Sequence, residues 1–230
     1  MDRGVGSVSE PKVSPLARDI RLVHRVITRG LNISGESCKS LKERGFPDAP
    51  TCDGFLNYVT AFRSLLDAHH TSEDDLVFPQ LRSKSLGAPY DTLTSQHRQI
   101  VSLLKEVKTR VEEIRANQGD TDSLKTLSQM LASIAEIWHP HIQVEEDHFA
   151  SDRLFAVMDL EEQGDLSRKA AEHSMKHASP DYLVAPFLLY NLTLDDRTLF
   201  AQGIPPIVTQ QLVPVTWKEK WLSMKPFLLA

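Results

Sequence analysis

Two histidines in this chain are each followed four residues later by a glutamate: His69 by Glu73 and His141 by Glu145. On a helix, that spacing sets an imidazole and a carboxylate on one face, one turn apart. A lone pair of this kind is ordinarily a surface ion pair worth about 0.2–0.5 kcal/mol. These two sit instead within apolar stripes, and His24 and His97 interrupt apolar stripes on two other segments. Burying four imidazoles and two carboxylates unpaired would cost several kcal/mol, so they need a shared partner. A metal ion is such a partner. With no thiolate in the set, iron, manganese or zinc fits better than calcium or copper(I). Carboxylates on opposite helices can each bridge two ions while histidines cap the outer faces, which points to a dinuclear centre inside a helical bundle.

The elements that must position these groups are legible as apolar stripes at three- and four-residue spacing. Leu16, Ile20, Val23 and Ile27 mark a first helix from Ser14 to about Leu31, which the next stretch extends before turning at Gly45 and Pro47. Phe55, Val59, Phe62, Leu66, His69, Glu73 and Val77 mark a second, capped by Thr51 or Asp53 and kinked or ended by Pro79. Leu93, His97, Ile100, Leu104, Val107, Val111 and Ile114 mark a third. After a turn at Asn117–Asp120 a fourth runs through Leu124, Leu127, Leu131, Ile134, Trp138, His141, Glu145 and His148. Pro140 lies inside it and frees the carbonyl of Glu136, which predicts a kink beside the site. A fifth, more polar helix is expected over about 153–177.

The fold class that follows is all-α. It is an up-down-up-down four-helix bundle with an extra helix and an irregular or helical C-terminal extension. Residues 1–13 read as a disordered arm, 14–177 as the bundle, and 178–230 as the extension packing on it. The extension holds six of the thirteen prolines and none of the nine histidines. In an antiparallel bundle, helices 1 and 3 start at the end where 2 and 4 finish. At about 1.5 Å per residue, all four ionisable positions then fall in one slab roughly 12–15 Å from that end.

Composition narrows the function classes. With 41 % hydrophobic and 25 % charged residues, the chain is an ordinary globular one, and a net charge of −5 argues against a nucleic-acid partner. No segment approaches the length of a membrane span or the pattern of a signal peptide. Cys38 and Cys52 are too few for a disulfide framework or a four-cysteine zinc site, so a reducing, cytoplasmic setting is expected.

The words RLVHRVI around His24, AHHTSEDDLVFPQL from Ala68, SQHRQI around His97 and HPHIQVEEDHF from His139 resemble the hemerythrin-like (HHE cation-binding) family over about residues 14–150. The order His, His-x₃-Glu, His, His-x₃-Glu carries the resemblance. It implies a non-haem centre of two iron ions (Fe2+/Fe3+), bridged by Glu73 and Glu145 and capped by His24, His69, His97 and His141, with dioxygen as ligand or substrate. The extended form with its Pro- and Trp-containing tail is similar to fungal hemerythrin-like proteins.

One departure from that family matters. Oxygen carriers have a second histidine four residues after the one on the third helix, where this chain has Val101. His70, in a place where some family members ligate, and His148, one turn beyond Glu145, are the two candidates to replace it. Fewer protein ligands leave more open positions on iron, which favours oxygen activation or sensing over reversible carriage. The function expected is an oxidoreductase that uses dioxygen or peroxide on a small organic molecule, in a biosynthetic pathway. The alternative is a non-enzymatic protein that binds, stores or senses oxygen, nitric oxide or iron.

The remaining features have plainer readings. His139, Glu146 and Asp147 read as surface groups or as carboxylates that orient a ligating imidazole. His173 and His177 read as exposed and outside the site. Trp217 and Trp221, one turn apart, read as packing residues, with a homodimer contact through the extension or a lid over one bundle end as alternatives. Attachment to a membrane surface is a further alternative, less favoured for so short a segment with three lysines.

Overall fold

The Ser14 hydroxyl accepts the Ala17 N–H at 3.0 Å and Pro15 takes the first helical position, so the first helix starts where the apolar stripe does. The computed structural model describes residues 13–118 and 120–229. The expected arm at 1–13 lies outside them save for Val13, as does Gly119 of the expected turn. Helix α1 spans Pro15–Arg44 and closes at Gly45, whose φ of +71° suits glycine. Helix α2 spans Ala49–Ser72 and runs through a π-helical turn, Glu73–Val77, into α3, Phe78–Ser83. Helices α4 (Tyr90–Ala116) and α5 (Thr121–His148) complete a ring in which α1 packs on α2 and α5, and α4 on the same two. Short connections between packed neighbours make consecutive helices antiparallel, giving an all-α four-helix bundle with no strand among the described residues.

Several local expectations change. The cap of α2 is Asp48, whose carboxylate accepts the Thr51 N–H at 2.7 Å, and neither Thr51 nor Asp53 serves. Helix continues past Pro79, because just before it the Phe78 N–H reaches back five residues to the Glu73 carbonyl. That wider turn relieves the crowding a proline ring imposes on the preceding turn. Helix α5 likewise runs through Pro140 without a break. The expected fifth helix is two: α6 (Ser151–Phe155) and α7 (Leu160–His177). Asp159 restarts the chain with a reciprocal capping box, its carboxylate accepting the Glu162 N–H and Glu162 accepting the Asp159 N–H.

Two apolar clusters fill the bundle. One gathers Leu22, Val26, Phe62, Leu66, Ile100 and Trp138 with much of the far half, and the other gathers Leu16, Ile20, Val77, Phe78, Leu93 and Phe149. The switch between clusters falls at the ionisable residues on three sides of the ring: between Ala68 and Val77 along α2 and its π-helical turn, Leu93 and Ile100 on α4, and Trp138 and Phe149 at the end of α5. On α1 it falls between Ile20 and Leu22, just before His24. A polar layer therefore crosses an otherwise apolar interior. Helix α7 lies over α1 and α2 beside that layer, where Ser72 donates to the Ala170 carbonyl and Ser174 to the Ala68 carbonyl.

The C-terminal segment is helical in short pieces. Helices α8 (Asp181–Tyr190), α9 (Leu194–Ala201) and α10 (Lys218–Trp221) are joined by a π-helical run, Val208–Thr216, and followed by a 3₁₀ turn, Leu222–Phe227. It packs chiefly on α2. A Cβ at Gly54 would stand 2.0 Å from the Ser223 carbonyl oxygen, so only glycine lets the two backbones approach this closely. Tyr58 donates to Asn191 Oδ1 at 2.8 Å, and Trp221 Nε1 to the Val213 carbonyl at 2.8 Å. No helix of the described residues is long and apolar enough to cross a membrane.

Candidate metal centre

The polar layer holds His24 from α1, His69 and His70 from α2, Glu73 from the π-helical turn, His97 from α4, and His141 and Glu145 from α5, all of them buried. Their ligand atoms form two overlapping groups, each within 4.8 Å. His24, His69, Glu73 and Glu145 make one; His97 and His141 with the same two glutamates make the other. His70 joins His97 and His141 in a third, contiguous set. The six residues whose spacing singled them out are thus brought together, with Glu73 and Glu145 common to both halves.

Distances describe a tight cage. Nε2 of His24 and of His141 each lie 3.3 Å from Glu145 Oε2, and Nε2 of His69 lies 3.4 Å from Glu73 Oε2. His97 Nε2 is 3.6 Å from Glu73 Oε2 and 3.9 Å from Glu145 Oε1. The His70 ring stacks on that of His97 with centroids 3.9 Å apart, and Trp138 packs against His24, His69, His70 and His141.

Three imidazoles are oriented from behind. Nδ1 of His24 faces Glu146 Oε1 at 2.9 Å, that of His97 faces Asp74 Oδ1 at 3.0 Å, and that of His141 faces Gln96 Oε1 at 2.9 Å. An oxygen acceptor at Nδ1 favours the Nδ1–H tautomer and leaves the Nε2 lone pair turned inward, the arrangement that metal-ligating histidines use. Asp74 also accepts the Thr94 hydroxyl at 2.7 Å, and Trp138 Nε1 donates to Thr28 at 2.9 Å. Glu146 fills the orienting role open to it in the sequence. Asp74 and Gln96 were missed, and their signal was adjacency: each directly neighbours a cage residue.

The charges are strained without a cation. Burial together with the facing Glu145 and Asp74 carboxylates pushes Glu73 well above the usual glutamate range. Glu145 is also desolvated, but the imidazoles of His141 and His24, each 3.3 Å from its Oε2, outweigh burial and hold it low. Burial and neighbouring imidazoles push His69 and His70 down, whereas at His24 the two glutamates overcome burial and raise it.

The fit to a metal rests on atoms that have nothing else to do. His24 Nε2, His69 Nε2, both His70 nitrogens and all four carboxylate oxygens of Glu73 and Glu145 are buried and without a hydrogen-bond partner. Native interiors hold only a few such atoms per hundred residues, and eight in one cage, with one nitrogen of each imidazole free to donate, form a nitrogen and oxygen donor set suited to a cation.

The other histidines fall elsewhere. His148 is half-buried and donates Nδ1–H to the Val144 carbonyl at 2.7 Å, outside the cage. His139 and His177 are exposed. His173 is half-buried, not exposed as expected, because α7 lays it against Asp75, 3.4 Å away. Val101 lines a cleft of about 240 Å³ between α2 and α4, whose inner wall includes His70 and His97.

Among known proteins, the sequence pattern of the hemerythrin HHE cation-binding domain matches residues 16–178. No curated protein and no solved structure matches the chain.

Proposed function

Since the chain belongs to the hemerythrin HHE cation-binding domain family, we propose that its cage holds two iron ions and that the protein binds or activates dioxygen or peroxide. His24 and His69 would hold one ion, and His97, His141 and His70 the other, with Glu73 and Glu145 shared. The observation that carries this reading is the set of eight unpartnered buried atoms contributed by three elements of the ring and its π-helical turn. Iron in such a set supplies redox chemistry toward dioxygen or peroxide.

The chain's own residues do the rest. Asp74, Gln96 and Glu146 hold three rings in register, so little reorganisation is needed when a cation arrives. The apolar clusters above and below exclude water, and Trp138 walls one side. The cleft beside His70 and His97 leaves room for a small organic molecule, which favours an oxidoreductase. His70 favours the second reading, a non-enzymatic protein that binds, stores or senses oxygen, nitric oxide or iron. It adds a histidine where Val101 withholds one, and so restores a fuller ligand set.

Exposure of the reduced protein to oxygen separates the two. A change in near-ultraviolet and visible absorption that reverses under vacuum supports binding, and an irreversible change with consumption of an organic substrate supports the oxidoreductase. No change on exposure contradicts both.

A further inference from the structure

The cleft between α2 and α4 is lined on the α4 side by Arg98, Val101, Ser102 and Lys105. These are positions i, i+3, i+4 and i+7, one continuous face of the helix. Two cations therefore flank Val101, one turn to either side. Both are exposed, and neither has a salt-bridge partner among the described residues. Asp74, the acidic group of the cleft, is hydrogen-bonded to His97 and Thr94 and lies within electrostatic reach of Arg98. On a chain of net charge −5, a cleft whose helical face carries two cations against the one carboxylate of Asp74 runs against the overall field and is where a small anion would be received. At the inner wall stands His70, buried, with both ring nitrogens unpartnered.

We propose that this cleft is the access route to the cage and takes a small organic acid, its carboxylate on Arg98 and Lys105 and its other end beside His70 and His97. The volume, about 240 Å³, lies below the roughly 300–1,000 Å³ of pockets for drug-sized ligands, so the occupant is small. The cations sit at the outer wall and the imidazoles at the inner one, which sets the direction in which the acid lies. The half-buried Val101 side chain between them gives its hydrocarbon part an apolar wall. The position that carries a ligand in oxygen carriers thus becomes part of a doorway. The route's purpose rests on the proposed metal centre; recognition of the acid does not.

Calorimetric titration of the full chain with benzoate, benzamide and inorganic phosphate tests this. Benzoate should bind at least about tenfold tighter than its neutral isostere, because charged hydrogen bonds to Arg98 and Lys105 are worth that factor, and tighter than phosphate, which has no hydrocarbon part to lay against Val101. The exposed double substitution Arg98→Gln, Lys105→Gln should remove the preference with an unchanged thermal melt, and Val101→Trp should abolish binding by filling the cleft. Equal binding of benzoate and benzamide, equal binding of phosphate, no benzoate binding, or an unaltered double variant would each overturn the proposal. Metal content measured in the same samples separates the two readings. Selective acid binding in a protein that takes up no metal leaves the cleft and removes the centre, and a loaded centre without selectivity does the reverse.

Discussion

Nε2 of His97 and Nε2 of His141 stand 3.1 Å apart in the buried cage. Their Nδ1 atoms face Asp74 and Gln96, so with Nδ1–H donated outward two lone pairs confront one another, and only a shared cation or proton makes that contact favourable. The orientation of each ring is thus tied to its partner behind. Asp74→Ala should weaken metal affinity by roughly 10–100-fold, while leaving the number of sites at saturation unchanged. Competition titration against a chromophoric chelator reads both quantities. Unchanged affinity would mean that Asp74 does not position His97.

His70 and His148 are separable by the same measurement. His70→Ala should lower the affinity of one of the two proposed sites, because it removes a buried imidazole that groups with His97 and His141. His148→Ala should leave both sites as they are, since its Nδ1–H is spent on the Val144 carbonyl outside the cage. The reverse pattern would contradict the placement of the additional ligand.

Acidity should work against metal uptake. Glu73, pushed up by burial and by Glu145, keeps its proton at pH values where an exposed glutamate has lost it, and a cation must expel that proton. Uptake therefore releases protons, and affinity falls as the pH is lowered. Titration with zinc or ferrous iron should give a weaker midpoint at about pH 5.5 than at about pH 7.5, with proton release visible to an indicator dye in weak buffer. A pH-independent midpoint would contradict this.

Much of the bundle and the six cage residues His24, His69, Glu73, His97, His141 and Glu145 were legible in the sequence because they share a periodicity with the core. A polar residue on an apolar stripe is visible without coordinates. Asp74 and Gln96 were not legible, because they lie off the stripe and reach the cage sideways, across the joint between neighbouring helices. The π-helical turn at Glu73–Val77 left no periodic trace, so Pro79 read as a kink or an end, and of the two the structure excludes the end. The break before α7 did leave one, in the Asp159 and Glu162 spacing of a capping box, which the long polar stretch from 153 obscured. In the C-terminal segment, short helices interrupted by proline hold too few turns for a period to emerge.

The docking of that segment has its own test. Gly54→Ala drives a methyl group into the Ser223 backbone and should cost about 1–3 kcal/mol in urea denaturation. Gly35→Ala, in helix α1 with nothing within 4 Å of the new methyl, should instead stabilise by about 0.4–1 kcal/mol. Equal effects at the two positions would contradict the close approach of Ser223 to α2.

The central claim is that the unpartnered buried side chains of the cage hold metal, and metal content measures it most directly. Iron per chain, determined by elemental analysis on protein purified without chelators and reconstituted with ferrous iron, should approach two in the wild type and fall sharply in His141→Ala, Glu145→Ala. Iron near zero in both proteins, or equal iron in both, would contradict the account.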